Sequence, residues 1–137
     1  MQAPADVVTA LLKATEHRDV AEILRHLAPD IRYQNMPLPT VRGARAVARQ
    51  FGLLHRLYTG CEVEITNIAT NGEVVLTERF DVIRRGDWSA RFWVCGTFVV
   101  RDGRIVLWRD YYDQAALLGS ALAGLGRMAL AGVRGQR

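Results

Sequence analysis

The chain has 137 residues, half of them hydrophobic and under a quarter charged, the balance of a single globular domain large enough to enclose a pocket and still have a core. Its formal charge of +4 is the difference between 18 basic and 14 acidic residues, and with acids interleaved nearly everywhere no stripe suited to nucleic acid is expected. Cys61 and Cys95 are too few and too far apart for a disulfide framework or a zinc site, and each reads as a small buried hydrophobe.

Met1 to Asp6 contains no basic run leading into an apolar one, so no secretory signal is expected and the cytoplasm is the default compartment. Behind Pro4, the residues Val7, Val8, Leu11, Leu12 and Thr15 recur at helical spacing and predict a first helix. Asp19 followed by Glu22 resembles a capping box, opening a short second helix with Val20, Ile23, Leu24 and Leu27 on its buried stripe until Pro29 stops it. Ile31, Tyr33 and Asn35 alternate with Arg32, Gln34 and Met36, a strand pattern that ends at Pro37 and Pro39. Gly43 opens a third helical pattern, Val47, Phe51, Leu54 and Tyr58, closed by Gly60 in the left-handed cap position.

From there the period changes to two. Residues 61–70, 74–85, 90–101 and 104–113 read as four strands, joined at Asn71-Gly72, near Gly86-Asp87, and at Asp102-Gly103. Asn-Gly and Asp-Gly suit type I′ turns, whose two central residues need positive φ. The tail from Ala115 to Val133 is rich in Ala, Leu and Gly; it reads as a packing or lid helix, broken by glycine and short of the ~20 apolar residues that cross a bilayer. No membrane partner is therefore expected. Helices, then an antiparallel meander, then a closing helix describe one α+β domain over residues 1–137, with a curved sheet wrapped around its helices.

The chemistry concentrates on three strand faces. Arg79 and Asp81 stand two apart in the apolar run from Val74 to Ile83, so both side chains point the same way, with Cβ atoms roughly 6.5–7 Å apart. Val75, Thr77 and Ile83 share that face. Asp110 interrupts a second apolar run, sharing a face with Val106, Trp108 and Tyr112, while Tyr33 and Asn35 share a third. Turned inward together, these faces form a pocket with further apolar wall from Phe92 and Val94 on the strand between and Leu54 or Tyr58 from the third helix. Two ionised Asp and one Arg⁺ leave a net negative charge that is costly in such a place, and one shared proton removes it. One Asp is then an acid and the other a base, which is what opening a strained ether with water requires.

Tyr33-Gln34-Asn35-Met36-Pro37, Leu76-Thr77-Glu78-Arg79-Phe80-Asp81 and Trp108-Arg109-Asp110-Tyr111-Tyr112-Asp113 closely resemble the active-site strings of limonene-1,2-epoxide hydrolases, and the resemblance runs from about Asp19 to about Leu125. It implies a nuclear transport factor 2-like fold, a strongly curved mixed sheet forming a cone-shaped pocket closed by the C-terminal helix. It also implies a cofactor-independent hydrolase, a homodimer, acting on a small hydrophobic epoxide and water. Asp110 becomes the base that deprotonates water, Asp81 the acid toward the epoxide oxygen, Arg79 the bridge between them, Tyr33 and Asn35 the holders of the water, and Trp108 a hydrogen-bond donor supporting the acid. Leu54, Tyr58, Ile83, Phe92, Val94 and Tyr112 become the substrate wall.

Plainer meanings compete with each of these. An Arg-Asp pair on a strand is ordinarily a rim ion pair, and Trp108 alone would be a core residue. A related pocket that binds, isomerises or cyclises a polyketide or steroid is the alternative function, and a dimerisation module a third. His17, His26 and His55 lie on helical patterns without a metal-ligand partner, so no metal site and no Ser-His-Asp arrangement is expected. Glu62 and Glu64 read as the solvent face of a strand, Tyr111 as packing and Asp113 as surface.

Overall fold

The computed structural model describes residues 2–135. Helix α1 (Pro4–Glu16) carries Pro4 in its first turn and buries Val7, Val8, Leu11 and Leu12. Helix α2 (Val20–Arg25) is capped as its sequence predicts, the Asp19 carboxylate accepting the Glu22 N–H at 3.2 Å. It ends earlier than Pro29 suggests, because the chain enters strand β1 (Leu27–Met36) at Leu27. Pro29 lies inside that strand, where the pairing is irregular between Leu27 and Arg32, one of the few sheet positions that dispense with a backbone donor.

A two-residue strand β2 (Val41–Arg42) pairs with β1 and leads through Gly43, at φ +89°, into helix α3 (Ala44–Leu54). The third helix stops at Leu54, a turn short of Tyr58, and Gly60 opens strand β3 (Gly60–Asn71) instead of capping the helix. Strands β4 (Val74–Arg85), β5 (Trp88–Arg101) and β6 (Arg104–Tyr112) complete the predicted meander. Asp102 and Gly103 both have positive φ, 54° and 75°, as a type I′ turn demands. The first hairpin is shifted by one residue: Asn71 pairs with Val74, so the central residues are Gly72 and Glu73, and Gly72 alone takes positive φ.

The sheet runs in the order β2-β1-β6-β5-β4-β3, with β1 and β6 parallel and every other pair antiparallel. It is a curled mixed sheet, and its concave face closes on Leu11, Ile23, Val47, Phe98 and Ile105 among the core residues. Burying a side chain of that size contributes about 1.5–3 kcal/mol. A register shift between Val99 and Val100 puts Ile105 in the core in place of Val106, which is only half-buried.

Helix α4 (Gln114–Arg134) follows directly, its first turn capped by Asp113, whose carboxylate accepts the Ala116 N–H at 3.1 Å. At 21 residues, with an 18-residue stretch of mean hydropathy 1.5, it reaches the length and composition of a membrane span, longer than its glycines predict. It is pinned to β5: the Trp88 indole donates to Ala121 O at 3.2 Å, Arg127 donates to Ser89 O at 3.2 Å, and a Cβ at Gly124 would stand 2.2 Å from that same oxygen.

Candidate active site

Strand order decides which side chains meet. Register aligns Thr77 of β4 with Gly96 of β5, Gly96 with Asp110 of β6, and Asp110 with Asn35 of β1. Arg79 and Asp110 therefore belong to strands two apart, roughly 9–10 Å by the usual spacing. The guanidinium crosses that gap over Gly96. Its Nε and Nη2 donate to Asp81 Oδ1 and Oδ2 at 3.0 and 3.3 Å, and its Nη1 and Nη2 donate to Asp110 Oδ1 and Oδ2 at 3.1 and 2.8 Å. Arg79 and Asp110 are each 2% exposed, whereas the Asp81 side chain keeps 16% of its surface open.

Trp108 donates its indole N–H to Asp110 Oδ1 at 2.9 Å. The family strings place this donor beside the acid Asp81; the structure places it on the other carboxylate, because Trp108 and Asp110 stand two apart on one strand face. Its ring is wedged among Tyr33, Phe51 and Phe98, with centroids 4.6, 5.7 and 5.8 Å away. Asn35 Oδ1 accepts the Tyr33 hydroxyl at 3.3 Å and also the Tyr112 hydroxyl.

These groups lie in the wall of a mostly apolar cavity of about 980 Å³ that also takes in Leu54, Tyr58, Ile83 and Phe92. Tyr58 reaches it from the segment after α3. Val94 does not line it: fully buried, it is paired with Arg79 on one side and Tyr112 on the other. Wall residues that the sequence reading missed include Met36, Phe51, Cys61, Val63, Trp88 and Leu118. They come from the interrupted strand β1, from helices, and from strand ends, where alternation carries little information.

Burial pushes the Asp81 carboxyl above its ordinary range, against the opposing pull of Arg79, with Asp110 and Glu16 adding to the rise. Desolvation works against the charge on Arg79, yet Asp110 and Asp81 outweigh it and hold the proton more firmly than usual. Tyr33 and Tyr112 are raised by burial and by the nearby Asp110, so both remain phenols that donate. Cys61 is half-buried, and desolvation with Asp81 close by pushes its thiol up to about 12, which disfavours the thiolate near neutral pH. His55 is lowered by burial and Arg18, and no histidine lines the cavity among the described residues.

Gly96 is the residue most easily overlooked. A Cβ there would stand 2.9 Å from Arg79 Nη1 and 2.8 Å from Thr77 Oγ1. A glycine inside an otherwise apolar strand is a recognised sign of close approach, and Val94-Cys95-Gly96-Thr97-Phe98 carries it. Gly96→Ala is expected to push the guanidinium off both carboxylates and to cut kcat by about 10²-fold, the scale of an ångström's misplacement. Steady-state kinetics on folded variant check this; unchanged kcat would show that Arg79 does not need the gap.

The fold and its cone-shaped cavity place the chain in the nuclear transport factor 2-like class. A protein of that class from Burkholderia thailandensis, 21% identical, superposes with a TM-score of 0.74 over 89% of this chain and 98% of its own, a likeness of fold alone. Within the class, residues 2–123 match the limonene-1,2-epoxide hydrolase catalytic domain. The chain is 41% identical over 120 residues to the epoxide hydrolase EphG of Mycobacterium tuberculosis, covering 86% of this chain and 78% of that protein. The solved structure of an M. tuberculosis LEH-like epoxide hydrolase is 38% identical, with a TM-score of 0.81 over 93% of this chain and 95% of that one. The chain belongs to the limonene-1,2-epoxide hydrolase family.

Proposed function

We propose that this protein adds water to a small hydrophobic epoxide, cyclic or terpene-like, and releases a vicinal diol in one step. The observation that carries the reading is one buried guanidinium held between two carboxylates in the wall of an apolar cavity. Asp110, held in place by Arg79 and the Trp108 N–H, removes a proton from water while the water oxygen bonds to a ring carbon. The ring C–O bond breaks, and Asp81 gives its proton to the leaving oxygen. Solvent then returns one proton from Asp110 to Asp81. Tyr33 and Tyr112 fix Asn35, which orients the water with Asp110. Acid and base supply both proton transfers, each worth about 10²–10⁴ in rate, so the reaction needs no metal or organic cofactor. Apolar walls at Leu54, Tyr58, Ile83 and Phe92 favour a hydrophobic substrate. A homodimer, carried over from the family, would use the outer face of the sheet; the exposure of Leu76, Trp93 and Tyr111 there supports that reading.

Incubation with limonene oxide and cyclohexene oxide, followed by chiral analysis of the diols, tests the activity. Absence of diol from a panel of cyclic and terpene epoxides would turn the reading toward a binding or isomerising pocket. The pH profile tests the acid. A carboxyl that must be protonated loses its function as pH rises through its pKa, and burial raises that pKa in Asp81. The alkaline limb of kcat/KM is therefore expected above the ordinary carboxyl value of about 4. A limb centred at that ordinary value would contradict the acid role.

A further inference from the structure

The cavity mouth has a surface that the reaction does not use. Leu38, Leu57 and Leu118 all line the cavity and are 60%, 62% and 62% exposed, so they form an apolar rim open to solvent. Beside it lies a second, shallower apolar hollow of about 600 Å³ on α3, which includes exposed Leu53 and is edged by Arg49 and Arg56. Helix α4, which supplies Leu118, is apolar on nearly every side and exposes Leu122, Leu125 and Leu130 as well. An all-round apolar helix is at home in a core or in lipid, not in water.

Apart from Asp113 at the start of α4, the formal charges on the segments that form this face are basic. Although acids and arginines alternate along most of the chain, every Asp, Glu, Lys or Arg position from Ile31 to Cys61, and again from Gln114 to Gly135, is an arginine. On α3 and just beyond it, Arg45, Arg49 and Arg56 are exposed, and their side chains make no ion pair among the described residues. Two copies of such a face would oppose arginine to arginine. Exposed leucines beside exposed arginines match a layer with an anionic surface and an apolar interior, since the basic groups can meet headgroups while the apolar ones sink past them.

We infer that the mouth of the cavity, formed by α3, Leu38 and α4, docks onto a lipid surface rich in anionic headgroups. The helix lies along the surface, held by its contacts to Trp88 and Ser89. Docking does not depend on the reaction; that it lets a hydrophobic epoxide enter the cavity from the lipid rests on the function proposed above.

The test is co-sedimentation of the full chain with vesicles, in the absence of epoxide and at low ionic strength. Vesicles of equal parts phosphatidylglycerol and phosphatidylcholine are compared with pure phosphatidylcholine. The expected result is binding to the first and little to the second, with the double variant Arg49→Glu, Arg56→Glu bound about tenfold or more weakly. That variant should still hydrate soluble cyclohexene oxide at the wild-type rate, which shows it folded. Equal binding to both vesicles, no binding to either, or wild-type binding by the variant would each overturn the inference. So would a solution dimer that the variant dissociates without any vesicle binding, which would assign the face to a second copy. Since the vesicle assay contains no epoxide, its failure would leave the hydrolase reading standing, and a missing diol would leave the docking standing.

Discussion

Asp110→Asn and Asp81→Asn are each expected to lower kcat/KM by about 10³-fold or more, because each removes one proton-transfer partner from a concerted step. Both amides are nearly isosteric with the carboxylates they replace. At position 110 an amide oxygen can still accept the Trp108 N–H, and in either variant Arg79 keeps its other carboxylate. The fold should therefore survive, which thermal melts would verify. The double variant should be scarcely worse than either single one, since a concerted step lacking one partner gains little from the other. Near-wild-type turnover by either single variant would remove that residue from the mechanism.

Arg79→Lys is expected to fail for a geometric reason. The native guanidinium reaches Asp81 through Nε and Nη2 and Asp110 through Nη1 and Nη2, spanning the strand between. An ammonium is a single point that cannot make both forks. A loss of about 10²-fold or more in kcat follows from the misplacement of two reacting groups at once. Arg79→Met should instead show in stability, because it leaves two carboxylates without their cation, and breaking a buried pair costs about 3–5 kcal/mol. Urea denaturation at neutral pH measures it. A fully active lysine variant, or a methionine variant as stable as wild type, would show that Arg79 is not the bridge.

The parts of this molecule that were legible in its sequence are those set by local periodicity. The alternation around Arg79 and Asp81 faces both residues inward, and Asp102-Gly103 forms the turn that its φ requirement predicts. What depends on a distant partner was less legible. The end of α3 at Leu54 is set by the start of β3, and Pro29 is tolerated in β1 by an irregular register that no local pattern announces. The same limit applies in the site. Strand parity puts Val94 on the inner side, but it does not tell which inward residues reach the cavity, and Val94 is fully buried without lining it. The Trp108 hydrogen bond, by contrast, goes to Asp110 rather than Asp81 by spacing along one strand, which the shared face of the two residues makes legible even though the family strings point to the acid. Gly96 is absent from the sequence expectations, because what approaches it becomes clear only when β4, β5 and β6 are side by side.

The central claim is that water, activated by Asp110, attacks the epoxide directly. An ester formed at Asp110 would need a base to release it, and no histidine lines the cavity among the described residues to serve as one. A single turnover in ¹⁸O-water, with enzyme in excess over epoxide, separates the two routes. Direct attack puts ¹⁸O in the diol on that first turnover and leaves the protein unlabelled. An unlabelled first-turnover diol, with ¹⁸O retained in Asp110, would contradict the account and make that carboxylate the nucleophile.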